Sequence, residues 1–377
     1  MFGRKINSFD KDSKEEFYFD ISNVNDSVKS DDNYLKEISK KTSNSIMIIV
    51  SLIVIMFATI LISFNLGRYA VDVKIVLQIL LSKFFDVTKT WNDRQETIVM
   101  AVRLPRIIAA LMVGASLSVS GATYQGLFRN PMVSPDILGA SAGASVGACL
   151  MMLLNQNGAV IQIAAFIFGL LAVMFTYSLS KAIAKKADMV LMLVLCGLIV
   201  STLFQAFVSI IKYLADTDSQ LPEITYWLMG SIAKATYKDL LFFTIPFLLG
   251  IIPIFIIRWK LNVMSFGEDE AKAMGVNVPL IRFICIICST LLTAGVVSIA
   301  GTIGWVGLMI PHLVRFLVGP NNNKLIPVSC LVGAVFMLIV DNVCRTLLPY
   351  EIPLGVLTSL LGAPFFILIL YKHRGGI

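Results

Sequence analysis

Long runs without a single Asp, Glu, Lys or Arg constrain this chain more than any other feature. A helix rising 1.5 Å per residue needs about 20 apolar residues to cross a hydrocarbon core roughly 30 Å thick, so such runs act as rulers. Lys41 to Arg68 encloses 26 residues, Arg106 to Arg129 22, Asp188 to Lys212 23, Asp239 to Arg258 18 and Glu351 to Lys372 20. Asp136 to Lys181 encloses 44, with Asn155-Gln156-Asn157-Gly158 near its middle, which predicts two crossings joined by a tight turn. Arg282 to Arg315 encloses 32, broken at Gly301-Thr302-Ile303-Gly304, and Lys324 to Asp341 encloses 16 in a helix expected to continue past its acid. The runs predict ten spans. Nothing in a bilayer pairs with backbone amides and the runs lack barrel alternation, so the spans are helical. The fold class is all-α, a polytopic membrane protein of about ten transmembrane helices.

Residues 1–45 are of another kind. They hold 8 basic and 9 acidic residues with too few apolar ones for a core, and are expected to be a disordered polar cytoplasmic tail rather than a signal peptide. Residues 46–377 then carry a net +8. A nucleic-acid binder is excluded, because the charge is interrupted by uncharged runs instead of gathered on a solvated face. With both termini cytoplasmic, Lys and Arg near the inner ends number 16 against 11 outside, and 12 against 4 once the first segment on each side is set apart. The exception is residues 68–106, with seven basic residues outside against four acids. Tolerance of a long loop is one reading; a basic outer surface that meets an acidic partner is the other.

Catalytic signatures are missing. No HExxH, nucleophile elbow or GxxxxGK[ST] occurs, so this chain is not expected to hydrolyse ATP or peptide bonds itself. The six cysteines lie in apolar spans, and Cys285-Ile-Ile-Cys288 has no second pair or nearby ligating His, so no metal site is expected. Gly139, Gly143 and Gly147 recur every four residues and predict a seam for close helix packing. Ser265 and Glu268 have capping-box spacing, Asp269 and Glu270 add acids at a helix start, and Gly275 can end the helix. Within residues 259–280 this predicts a short inner-side helix with Ala271 and Met274 on one face and a Glu268–Lys272 pair. Asp341 and Arg345, four apart, are expected to pair; a proton relay is the alternative.

Four segments carry a resemblance: Arg103-Leu104-Pro105-Arg106 running on to Gln125-Gly126-Leu127-Phe128-Arg129-Asn130-Pro131; Pro135-Asp136-Ile137-Leu138-Gly139-Ala140; Ser265 to Gly275; and Gly301-Thr302-Ile303-Gly304-Trp305-Val306-Gly307 through Pro311-His312 to Arg315. Together with Leu361-Gly362-Ala363-Pro364 and the ten spans, they closely resemble the permease family of iron–siderophore, haem and vitamin B12 ABC importers, from about residue 46 to the carboxy terminus.

The resemblance implies a type II importer permease fold in the cell membrane. It implies as partners a second permease, identical or a paralogue, two cytoplasmic ATPase subunits that bind ATP and Mg, and an extracellular substrate-binding lipoprotein. This chain itself would bind no cofactor. It implies docking of the binding protein by Arg103, Arg106 and Arg345, and ATPase coupling through Ser265, Gly267, Glu268, Ala271, Met274 and Gly275. Pro311 and His312 fall at a kinked turn and are read as packing or gating residues. The cargo expected is an iron(III)-siderophore on a path lined by spans 3, 5, 8 and 10; haem or vitamin B12 is the alternative within the family, and a proton- or sodium-coupled transporter the alternative outside it. A weak internal echo, Gly121-Gly126-Pro131 against Gly301-Gly307-Pro311, suggests a duplicated core.

Overall fold

The computed structural model describes residues 46–373 except 68, 87 and 185–187. The predicted tail therefore lies outside the described residues. Residues 49–377 form one compact unit.

Every described regular element is helical: α1 (Ile46–Asn65), α2 (Val73–Leu81), α3 (Asp93–Thr97), α4 (Leu104–Leu127), α5 (Ala140–Leu153), α6 (Gly158–Ile183), α7 (Met189–Leu214), α8 (Gln220–Leu228), α9 (Tyr237–Met264), α10 (Glu268–Ala273), α11 (Val278–Ala300), α12 (Val306–Val318), α13 (Asn322–Thr346) and α14 (Leu354–His373). Seven segments are long and apolar enough to cross a membrane: α1, the continuous run from α3 through α4, α6, α7, α9, α11 and α13. The apolar helices α5, α12 and α14 are shorter and complete the ten predicted spans.

Polar residues that interrupt the uncharged runs start the helices. Asn157, in the predicted turn, accepts from the Val160 amide to open α6, Asp188 from Val190 to open α7, and Asn277 from Leu280 to open α11. Thr236 and Asp239 form a reciprocal capping box on α9. The second span begins at Asp93, fourteen residues before the charge-free run that starts at Ile107. Asn92 and Gln95 cap α3, and a π-helical segment Ile98–Arg103 carries the chain into α4, with the Leu104 amide reaching back to Val99. Pro105 lacks an amide hydrogen, so a regular hydrogen-bond ladder cannot pass this point and the wide turn forms here.

Burial sorts the spans into layers. In α11 72% of the span window is buried and in α1 only 11%, so α11, α13 and α4 form the centre while α1 and most of α7 face outward. The centre is held by contacts that only glycine permits. A Cβ on Gly114 would lie 2.0 Å from the Gly333 carbonyl oxygen, and one on Gly121 would lie 1.8 Å from that of Gly307. The predicted seam on α5 is real for Gly143 and Gly147, which meet the α6 backbone at Phe168 and Ala164. Gly139 serves differently: it has φ +87° and turns the chain into α5.

Helices α5 and α12, of 14 and 13 residues, are about 20 Å long and too short to cross alone. Irregular backbone precedes each, at 128–139 and 301–305. Irregular backbone at membrane depth needs protein or a cavity around it. Both segments line one cavity of about 630 Å³. The suggested internal echo does not map onto equivalent structure: Gly121–Pro131 runs from α4 into a loop, whereas Gly301–Pro311 runs from a loop into α12.

Candidate functional site

At the end of the molecule where α1 and α13 finish and α4 begins, five charged side chains converge. Arg106 is the centre. Its Nε lies 3.0 and 3.1 Å from the two oxygens of Asp341, its Nη2 2.9 Å from Asp341 Oδ1, and its Nη1 3.1 Å from both oxygens of Glu351. Asp341 is wholly buried, so it must be paired, and an Arg fork is the best partner for two carboxylates. The predicted Asp341–Arg345 pair exists only as a long contact, 3.9 Å. The short partner came from α4 rather than from one turn along α13.

Arg345 instead donates to Asn342 Oδ1, to the Ser63 carbonyl at 2.7 Å and to Ser63 Oγ at 2.6 Å, tying α13 to α1. Arg103 donates to the carbonyls of Phe64 and Tyr69. All three predicted docking arginines are thus buried in their own chain. They still border a small cavity of about 200 Å³, with Glu351 as its acid. Residues 68–106 are less free than their seven cations suggest. Lys83 pairs with Glu96 at 2.9 Å, Lys89 with Asp93 at 2.5 Å, and Arg94 covers the Tyr69 ring at 5.2 Å. The residues that sequence reasoning missed here are Ser63, Asn342 and Glu351. Glu351 was visible only as the boundary of the last charge-free run.

Three of the four sequence segments meet in the centre. Gln125 on α4 donates to the Leu308 carbonyl at 3.1 Å and accepts from Arg315 at 3.2 Å. Gly307 sits under both Gly121 and Pro135. His312, behind Pro311, packs against Phe316 and Phe366 with ring centroids 5.1 and 6.1 Å away. Spans 3, 5 and 8 contribute Ser141, Ser145, Gln205, Ser209, Gly307 and Leu308 to the larger cavity. Span 10 contributes instead to an adjoining one, through Gly355, Val356, Ser359 and Leu360.

At the opposite end, α10 follows α9 as predicted, but by other contacts. Gly267 at φ +133° starts the helix with no side-chain cap, while Ser265 ends α9 and donates from Oγ to the Asn262 carbonyl at 2.6 Å. The capping box fails because Ser265 is the C-cap of the preceding helix. Glu268 pairs with Arg282 of α11, and Lys272 pairs with Asp269 at 3.0 Å. Ala271 is fully buried against the body, whereas Met274 and Phe266 are both exposed. Gly275, at φ +80°, closes the helix. Arg282, the anchor of this unit, was not foreseen from its position 14 residues on.

A bundle of this kind, with two half-length helices entered through irregular segments and a short helix hung from α9, is the fold of a multi-pass membrane permease. The chain belongs to the FecCD transport family, whose model matches residues 52–372. It is 43% identical over 88% of its length to the Haemophilus influenzae molybdate import system permease protein MolB, covering 97% of that protein. It is 40% identical over 74% of its length to a probable iron chelatin transport system permease protein of Helicobacter pylori, covering 83% of it. Among solved structures, an ABC transporter described as metal-chelate type, in an inward-facing conformation, matches with TM-score 0.76 and 40% identity over 86% of this chain and 99% of the other. The chain is an ABC importer permease; such permeases are not enzymes themselves and work with a second permease, ATPases and a binding protein.

Proposed function

We propose that this permease imports an iron(III)-siderophore, received on the outer side from a binding lipoprotein and driven by two ATPase subunits on the inner side. The observation that carries this reading is the cavity of about 630 Å³ between α5, α7 and the irregular segments before α5 and α12, a volume suited to a compact chelate. The iron chelatin relative supports the same cargo class. A second reading, a small oxyanion cargo, is favoured by the molybdate relative and its near-complete coverage. A proton-coupled transporter is disfavoured, because Asp341, its candidate coupling acid, is already neutralised by Arg106. In proteoliposomes holding the permease, its ATPase and its binding protein, labelled iron chelate is expected to accumulate only with ATP. Molybdate uptake without chelate uptake would replace the cargo, and uptake driven by a proton gradient alone would overturn the importer reading.

The buried state of the three arginines suggests how docking proceeds. Glu351 is about one-third exposed and occupies one side of the Arg106 fork, where a carboxylate of the binding protein would act. Docking then exchanges an internal carboxylate for an external one. Glu351→Gln is expected to tighten binding-protein association by about tenfold, ~1.4 kcal/mol, whereas Arg106→Glu abolishes it; surface plasmon resonance on the detergent-purified complex measures both.

On the inner side, α10 is proposed to enter a groove of the ATPase through Met274 and Phe266, held at its angle by Arg282. Arg282→Ala and Met274→Asp are each expected to lower transport at least tenfold. Arg282→Ala should leave ATPase association intact by size-exclusion chromatography, and Met274→Asp should weaken it.

A further inference from the structure

Helix α7 has two unlike faces. Leu203, Phe207, Ile210 and Leu214 are exposed apolar residues that suit lipid. On the opposite side Gln205, Ser209 and Lys212 follow at spacings of four and three residues, one stripe of a helix, and all three line the large cavity. Across from them α5 presents Ser141 and Ser145, one turn apart. Polar groups in a membrane-spanning segment are costly unless they face protein or a water-filled space, so this stripe marks the cavity as a polar passage.

Two charged groups line that cavity, Asp136 and Lys212. They are not equivalent. Asp136 Oδ1 accepts from the Ser141 amide at 2.7 Å, so its charge meets the positive end of α5. Lys212 forms no ion pair with any carboxylate among the described residues. A lysine near the end of a span ordinarily reaches along the helix to the aqueous boundary. Lys212 is instead half-buried on the cavity side. One uncompensated cation, flanked by an amide and hydroxyls inside low-dielectric walls, concentrates a positive potential in the passage.

We infer that Lys212, with Gln205 and Ser209, forms an anion-binding station on the transport path, and that the cargo crosses as a net anion. This deepens the importer reading and rests on it. The shared chemistry is a compact multiply charged anion, met equally by a tris-catecholate iron chelate or by molybdate. An uncharged cargo would gain nothing from the lysine.

The test uses the full complex in proteoliposomes with its binding protein, and follows ATP-dependent uptake of a labelled tris-catecholate iron chelate and of molybdate in separate arms. Lys212→Glu is expected to reduce uptake of the transported anion at least tenfold, and Lys212→Arg to keep it within twofold of the unaltered permease. The arm that responds identifies the anion as chelate or oxyanion. Loss in Lys212→Arg as large as in Lys212→Glu would reduce the residue to packing, and full uptake by Lys212→Glu would remove the station; either overturns the inference while the importer reading stands. If the unaltered complex accumulates neither probe with ATP, the siderophore and oxyanion readings of the cargo both fail and this inference falls with them.

Discussion

Asp341→Ala is expected to be among the most destabilising single substitutions in this permease, at about 3–5 kcal/mol. Asp341 has no exposed surface, and it neutralises Arg106 directly and Arg345 at longer range. Removing it leaves Arg106 with Glu351 alone, a carboxylate one-third exposed to solvent, and leaves Arg345 with neutral partners only. The cost arises from stranding charge in a poorly solvated place rather than from losing one hydrogen bond. Asp341→Asn should cost less, since an amide oxygen can still accept from the fork. Thermal unfolding of the detergent-purified complex measures both; a midpoint unchanged by Asp341→Ala would contradict the central role given to this carboxylate.

The second large effect is expected at Gly121. Its backbone crosses that of Gly307 so closely that a Cβ would lie 1.8 Å from the Gly307 carbonyl oxygen and 2.9 Å from its Cα. A flexible side chain could move aside, but here the obstacle is main chain at the start of α12, itself pressed against Pro135. Gly121→Val should therefore cost at least the upper end of ordinary overpacking, about 3 kcal/mol. It should also separate the Gln125 bridge to Leu308 and Arg315 that joins the two helices. Gly158→Ala is the matched control, because a Cβ there meets nothing within 4 Å; a change within about 0.5 kcal/mol is expected. Recovery of monodisperse complex after expression, compared between the two variants, reads the difference.

The spans were legible because their cause is local. A bilayer imposes its thickness on each helix separately, so the length of an uncharged run is enough to locate it, and the turn residues Asn157, Asp188 and Asn277 fall where they cap the next helix. The start of the second span was misplaced for a converse reason. Asp93, Arg94 and Glu96 are charged yet helical, because Asn92 and Gln95 close a capping box and the segment leads through a π turn.

The candidate site was legible in membership and not in pairing. Asp341, Arg345, Glu268 and Lys272 all form ion pairs, but the rule that residues four apart share a helix face gave Asp341 only its long contact, to Arg345, and gave Glu268 a partner it does not have. Spacing along one helix cannot register a residue on another. Arg106 reaches Asp341 from 235 residues upstream, Glu351 takes the other side of the Arg106 fork from the segment before α14, and Arg282 reaches Glu268 from the next helix. Where two partners compete, the geometry of the fork decides, and that geometry belongs to the packing.

Residue order alone carried the bundle of about ten membrane helices, the position of its spans apart from the start of the second, and the family of importers it resembles, since each rests on local composition or on short contiguous motifs. It took the packing to reveal which charges neutralise each other, that Arg103, Arg106 and Arg345 are buried, and that one face of α7 turns a lysine toward a cavity. These depend on contacts between segments remote along the chain, and one helix's rotation about its own axis is set by its neighbours rather than by its residues alone.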